Sequence, residues 1–514
     1  MACTMFGAIY VGSYEVNLKV YELSVRKGIH LVNRVQHRMD IGKDVYADGR
    51  IGTGLVDELC DVLIDFQRIM KEFGVDEYRA CATSALREIK NNLVLMDRIY
   101  VKTGIRLEVL SNSEQRFLGY KAIASNSAQF QEIISKGTAV VEVGGGSLQI
   151  SLFDKDNLVT TQNIRLGSMR LRERLVDVAE RTVRYASVME ELLNNEMRTY
   201  RKLYLKDRNI RYMILAGNYV DCINKYIHPD GMYEQITKEE FIRFYDEFVQ
   251  KGQQAMADAL GLSLENSSLL LPTLVIYKRL LEETGAEYVV IYDLDIGGGL
   301  AYEYAEKKKI LKPQHNFEND IIESARNIAK RYHTNRSHIQ TMEKLALTIF
   351  DKMKSFHGLG KRERLLLQIA VLLHDCGKYI NMAQSSECSY NIIMATEIIG
   401  LSHMEREIIA NVVRFNSGVV LPFEEVAASS LMERTEYMTV VKLTAILRVA
   451  NALDRSHKQK IKDIKINLKD NHTMQIMVDT AEDLTLEQAL FKEKSEFFEE
   501  VYSIRPILKA KKLG

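Results

Sequence analysis

Apolar residues recur along the chain with two spacings, and the switches between them mark its elements. Ala8–Leu23, AIYVGSYEVNLKVYEL, reads as an apolar strand, a Gly12-Ser13 turn, and a strand apolar at every second position (Val16, Leu18, Val20). Ala139–Phe153, AVVEVGGGSLQISLF, repeats the layout, with Gly144, Gly145, Gly146 and Ser147 at the turn and Leu148, Ile150 and Leu152 alternating after it. Glycine turns bend sharply and present backbone N–H groups to an anion. Two such units predict two related halves flanking a cleft, each giving it a phosphate-gripping hairpin; without a ligand the same pattern is a plain tight hairpin. A third, looser glycine turn is expected after a strand within Tyr288–Leu300, YVVIYDLDIGGGL.

The intervening stretches alternate between helix and strand. Val56–Phe73 carries a helical stripe closed by Gly74, after a turn at Asp48-Gly49-Arg50. A short strand, Tyr78–Ala82, leads into Thr83-Ser84-Ala85-Leu86-Arg87, with Ser84 as N-cap. Arg87 in that first turn weakly opposes the helix dipole, which leaves a ligand role and a plain surface role equally open. A strand at Arg106–Leu110 precedes a helix running to about Ser125. Ser111 and Glu114 have capping-box spacing; the alternative for Glu114 is a carboxylate at the cleft edge that takes a proton from an attacking water. Glu142 ends a strand where it would hold a metal directly or through water. Ile164–Arg170 enters a helix, Met213–Asn218 is a strand with a glycine turn, and Leu269–Thr284 is an apolar helix with Pro272 in its first turn. This alternation makes the first part α/β.

From about Asn316 to Leu453 helical periodicity dominates. The pair His374-Asp375 follows the apolar run Ile369–Leu373, with His338 and Asp454 elsewhere in the segment. Two imidazoles and two carboxylates suit a hard or borderline divalent metal; the plainer reading is a hydrogen-bonded polar cluster inside a bundle. Ile464–Val478 alternates as a hairpin around Asp470-Asn471, and a last helix is expected at Leu486–Tyr502.

Composition narrows the function classes. The 514 residues predict two to four domains. Lys and Arg number 69 against 69 Asp and Glu, so no global field favours DNA or an anionic membrane. No apolar run approaches the roughly 20 residues of a membrane span, and the N-terminus lacks a basic leader. Six scattered cysteines without a CxxC pair fit reduced thiols in a cytoplasm.

Taken in order, these motifs resemble the exopolyphosphatase / guanosine pentaphosphate phosphohydrolase (Ppx/GppA) family, long form. Ala82–Arg87 matches the family's Ala-Thr-Ser-Ala-Leu-Arg segment, Ser111–Glu114 the segment carrying its general base, Gly144–Ser147 its second phosphate loop, and Leu166–Leu171 its Leu-Gly-Ala-x-Arg-Leu. Leu373–Lys378 and Ala452–His457 resemble motifs of HD-domain phosphohydrolases. The resemblance implies a two-lobed actin-like, sugar-kinase-like ATPase fold over 1–125 and 126–309, an all-α HD-like domain over 310–457, and a small α+β tail over 458–514. It implies Glu114 as base, Arg87 neutralising charge, phosphate on Gly12, Ser13 and Gly144–Ser147, and Mg²⁺ or Mn²⁺ placed by Glu142. A second divalent metal is implied at His338, His374, Asp375 and Asp454. A cytoplasmic homodimer acting on polyphosphate or a guanosine nucleotide is also implied.

Several positions depart from the family pattern. Tyr10 replaces the first-loop Asp, Tyr14-Glu15 its Asn-Ser, Glu142 the second-loop Asp, and Gln149 a Glu tied to the metal. The leading expectation is a phosphoanhydride hydrolase releasing terminal phosphate from polyphosphate or guanosine pentaphosphate. The alternatives are a catalytically weakened polyphosphate or (p)ppGpp-binding regulator and a metal-dependent phosphohydrolase at the HD-like site.

Overall fold

The computed structural model describes residues 3–126, 130–179, 182, 184–206, 208–217, 220–229, 235–262, 267–291, 296–312, 315–469 and 472–511. The chain divides into two compact units, Met1–Asp320 and Ile321–Gly514.

The first unit is built on two sheets with one plan. β1 (Thr4–Val11), β2 (Glu15–Ser24), β3 (Gly28–Arg38), β4 (Glu77–Ala82) and β5 (Leu107–Val109) lie in the order β3-β2-β1-β4-β5. β6 (Thr138–Val143), β7 (Leu148–Asp154), β8 (Asn157–Ile164), β9 (Tyr212–Gly217), β10 (Gln235–Thr237) and β11 (Tyr288–Ile291) lie in the order β10-β11-β9-β6-β7-β8. Each sheet opens with an antiparallel meander, and its first strand takes a parallel partner on the other side: β4 beside β1, and β9 beside β6. The paired hairpins expected from the sequence are therefore the first strands of two like sheets. Parallel neighbours require crossover helices. Thr53–Glu72 serves β4, burying Leu59, Leu63 and Phe66 in a core shared with Val16 and Leu18. In the second half Leu270–Thr284 buries Leu274, Tyr277 and Leu281 in a core that includes Ile150. β2 and β7 are buried at nearly every residue rather than at alternate ones, because their sheets are covered on both faces.

Three local readings change. Ser84 is not the cap: the helix Ser84–Glu88 starts after Thr83, and the Ser84 hydroxyl is turned to other partners. The Gly297–Gly299 run is not a turn but the start of the helix Ile296–Lys307. A Cβ on Gly299 would overlap the Leu118 carbonyl, so glycine serves close helix crossing there. Residues 292–295, which precede that helix, and Asn218 of the expected Met213–Asn218 strand and turn lie outside the described residues. A short helix not foreseen, Ile41–Asp48, is capped by the Asp40 side chain at Lys43 N and ended by Gly49 at φ 69°.

The second unit is mainly helical. Arg336–Lys352, Lys361–Leu373, His403–Ser417 and Arg434–Leu453 supply its buried apolar faces. β12 (Ile464–Lys469) and β13 (Thr473–Asp479) form the expected hairpin with Ile466 opposite Ile476; its Asp470-Asn471 turn lies outside the described residues. The helix Thr485–Tyr502 then returns the chain to β14 (Arg505–Lys511), an unforeseen parallel partner of β13. Tyr502 reaches Lys442 O at 2.8 Å, so the tail packs on the helical part and the two form one unit. Among the described residues no helix is long and apolar enough to cross a membrane.

Candidate functional site

The two glycine hairpins of the first unit face one another across a cleft. From the first sheet it is lined by Tyr10, Gly12, Ser13, Glu15, Asn17, Lys19 and Arg34, and from the second by Glu142, Gly144, Gly145, Ser147 and Gln149. The first turn is closed by Gly12 N–H to Glu15 O at 2.8 Å, the second by Gly144 N–H to Ser147 O at 2.9 Å. Among the described residues Gly145 and Gly146 make no backbone N–H hydrogen bond, as an anion cradle requires. Ser13 and Ser84, two lining residues, share a hydroxyl cluster with Tyr46: Ser13 Oγ lies 2.7 Å from Tyr46 Oη and 2.9 Å from Ser84 Oγ, and Tyr46 Oη is 2.9 Å from Ser84 Oγ.

The expected catalytic pair, Glu114 and Arg87, is held by hydrogen bonds at the start of the next helix. Glu114 Oε2 accepts from Ser111 N at 2.9 Å and Glu114 N donates to Ser111 Oγ at 3.2 Å, a closed capping box. Its carboxylate is committed to the start of the helix Asn112–Asn126 and does not line the cleft. The next residue, Gln115, does line it, and donates Nε2–H to Glu142 Oε1 at 2.9 Å. Arg87 is also absent from the lining; its guanidinium donates to Leu110 O and Asn112 Oδ1 at the base of that helix. Sequence reasoning missed Gln115 and Tyr46. The first was hidden by the carboxylate beside it, the second by the unforeseen short helix.

The cleft offers few negative ligands. Loss of solvent pushes the Glu142 carboxyl above its ordinary range, against the Gln115 hydrogen bond and the charges of Arg116 and Arg87. Gln149 Oε1 accepts from buried Arg116 Nε at 2.9 Å. Tyr10 bonds Thr83 Oγ1 at 3.3 Å, and burial drives its phenol pKa upward, so it stays neutral. Glu15 accepts from Asn17 Nδ2 at 2.8 Å and from Gln36 Nε2. Mg²⁺ prefers carboxylates in near-octahedral geometry. Two amide-engaged carboxylates, a neutral amide and a phenol do not fit that demand.

The second unit holds a tighter cluster. His338 Nε2 and His374 Nε2 are 3.2 Å apart, and Asp375 Oδ1 is 3.6 Å from His374 Nε2. Each imidazole's other nitrogen faces an acceptor: His338 Nδ1 is 2.8 Å from Asp454 Oδ2, and His374 Nδ1 is 2.7 Å from Val371 O. Those contacts assign the proton to Nδ1 in both rings, which leaves two Nε2 lone pairs aimed at each other. A cation between them would relieve that repulsion, and one ligand atom each of His338, His374 and Asp375 lies within 4.8 Å of the others, close enough to hold it. Asp454 orients His338 rather than joining the donors, as an outer carboxylate does at metal-bound histidine. It is itself held by Gln459 N at 2.8 Å. Burial lowers the His374 pKa and opposes ionisation of Asp375. The hydrogen bond and charge of Lys378, whose Nζ is 2.6 Å from Asp375 Oδ2, act against that burial and favour the charged carboxylate. His457, the last residue of the Ala452–His457 motif, stacks on His338 with centroids 3.6 Å apart.

Comparison with known proteins agrees with this architecture. Residues 20–308 match the Ppx/GppA phosphatase family and residues 322–496 match Ppx/GppA phosphatase, domain III. A guanosine-5'-triphosphate,3'-diphosphate pyrophosphatase from Photobacterium profundum is 18% identical over 443 residues, 86% of either chain. The crystal structure of the Aquifex aeolicus Ppx/GppA family member is 18% identical, with a TM-score of 0.51, over 60% of this chain and 99% of that one. An exopolyphosphatase structure from Cytophaga hutchinsonii is 17% identical, with a TM-score of 0.52, over 60% of this chain and all of that one (100%). These structures share the fold of the first unit's two-sheet plan.

Proposed function

Because the chain belongs to the Ppx/GppA phosphatase family, we propose that its first unit binds the terminal phosphoanhydride of inorganic polyphosphate or a guanosine polyphosphate and hydrolyses it far more slowly than a carboxylate-rich site would. The observation that carries this reading is the lining itself: among the described residues its carboxylates are Glu15 and Glu142, both engaged by amides. The Gly145 N–H and the Ser13 and Ser147 hydroxyls hold phosphate oxygens, while Lys19 and Arg34 answer the charge of the remaining chain. Water attack needs a group that removes a proton. At the helix position facing Glu142 stands Gln115, whose amide orients water but takes no proton. The Photobacterium relative is named for a guanosine polyphosphate, which shares the phosphoanhydride end with polyphosphate.

Titration calorimetry with tripolyphosphate tests the binding half. The reading expects saturable binding that weakens several-fold in Arg34→Ala, with a larger loss at low than at high salt. Absence of binding to the parent protein sinks it.

A second reading is favoured by the facing Nε2 atoms of the second unit. There His338, His374 and Asp375 hold a divalent metal, which supplies Lewis acidity and an activated water for phosphoester hydrolysis. Asp454 fixes the ring of His338, and Lys378 positions Asp375. Metal analysis of the intact protein should find one stoichiometric ion that is lost in His374→Ala. Equal metal content in the two proteins would retire this site.

A further inference from the structure

We infer that the cleft takes its phosphoanhydride ligand as the bare polyanion, with the positive charge a divalent metal would bring built into the chain as Lys19, Arg34 and Arg116. The inference rests on the phosphate-cleft reading above and names the form in which that ligand is bound. A metal that bridges protein and phosphate needs oxygen donors from the protein. Gln149 has one such oxygen, and Arg116 Nε donates to it at 2.9 Å. A metal ion there would sit beside a guanidinium that is 2% exposed, where little water separates the two charges. Glu15 Oε1 accepts from Asn17 Nδ2, and Oε2 from Gln36 Nε2. Of the carboxylate oxygens in the lining, Glu142 Oε2 alone accepts no hydrogen bond among the described residues. That single oxygen is the whole anionic ligand set the cleft offers a metal.

The cations, by contrast, are arranged at a cost that a polyanion removes. Glu15, Asn17 and Lys19 alternate along β2, so they share one face of the strand, and all three line the cleft. Lys19 stands directly opposite Arg34 on antiparallel β3, and Arg34 lines the cleft as well. Like charges at opposed positions of an antiparallel pair repel. Lys19 is only 8% exposed, so water screens little of its charge. Arg34 donates to Gln36 Oε1 at 3.4 Å and has no carboxylate partner among the described residues. Arg116 adds positive charge behind Gln149; burial disfavours the ionised Glu142, and Arg116 is among the groups that favour it. A phosphate chain beside Lys19 and Arg34 turns their repulsion into attraction for itself, with no divalent ion to bring it there. Mg²⁺ on that chain cancels the charge these side chains recognise, so it competes with the protein for the ligand.

Calorimetry with tripolyphosphate on the full chain, once in chelator and once with millimolar Mg²⁺, tests this without any substitution. Binding should persist in chelator, and Mg²⁺ should weaken it several-fold. Affinity that is equal or higher with Mg²⁺, or binding seen only with it, overturns the inference and leaves the phosphate cleft standing. Gln149→Glu, which sets a carboxylate against Arg116, should weaken binding in chelator several-fold; an affinity equal to the parent's overturns the part assigned to Arg116. No binding by the parent in either condition overturns the cleft reading and the inference with it.

Discussion

Glu114 illustrates how one residue type at one spacing serves two roles. Ser-x-x-Glu is the signature of a capping box and also the position from which a base would reach a cleft. Only the path of the chain decides, and here it closes the box. Glu114→Ala should lower stability by about 1 kcal/mol, as the loss of a cap does, and Glu114→Gln by much less, since glutamine also closes the box. Urea denaturation measures both, and tripolyphosphate affinity should stay at the parent value. Glu142 has the opposite character. Its folded carboxyl titrates above its unfolded value near 4.3, so the unfolded chain releases the proton first as pH rises. Its ionisation therefore costs stability progressively from about pH 4.3 upward, through the raised folded pKa. Glu142→Gln should raise the denaturation midpoint at pH 7, and the gain should vanish near pH 4; a gain independent of pH would contradict this assignment. Glu142 was legible as a cleft residue because it ends a strand before a glycine turn. The contact of Tyr46 with Ser13 and Ser84 was not legible, because an eight-residue helix carries no periodic signal that separates it from a loop.

At the scale of elements, the hairpins were the most legible part of the chain. A strand alternating after a glycine turn has few other solutions, and both β1–β2 and β6–β7 form the expected antiparallel hairpins. The third glycine run misled because glycine meets two different needs: a turn at Gly12, and a helix–helix approach at Gly299. That difference is testable. Gly299→Ala should destabilise the first unit by about 1–3 kcal/mol, the usual cost of overpacking, because its Cβ meets the backbone of the helix Asn112–Asn126 rather than a movable side chain. A thermal scan that leaves the melting temperature unchanged would show that the two helices separate more easily than their packing implies. The strands β3 and β14 escaped notice for a related reason. β3 is partly exposed along its length and β14 is short and basic, so neither shows the apolar contrast on which strand recognition depends.

For the whole molecule, the two units divide the chemistry by ligand type. The first presents backbone N–H groups, hydroxyls and cations, which suit anions, and the second converges imidazoles and a carboxylate, which suit a metal. The His338–His374–Asp375 set was legible as residue types, but not its geometry: no spacing states that Asp454 would orient a ring instead of donating to the ion. Since binding to the folded state alone stabilises it, Zn²⁺ or Mn²⁺ added to chelator-treated protein should raise the melting temperature, and His374→Ala should abolish the shift.

The most direct test of the central claim is the rate of phosphate release from long-chain polyphosphate at a concentration shown by calorimetry to saturate the protein. The account predicts a turnover below about 10⁻² s⁻¹, against the 1–10³ s⁻¹ common among enzymes, with binding intact. Release at about 1 s⁻¹ or faster, abolished by Glu142→Gln, would show that the cleft is a working hydrolase despite Tyr10, Gln115 and Gln149, and would contradict it.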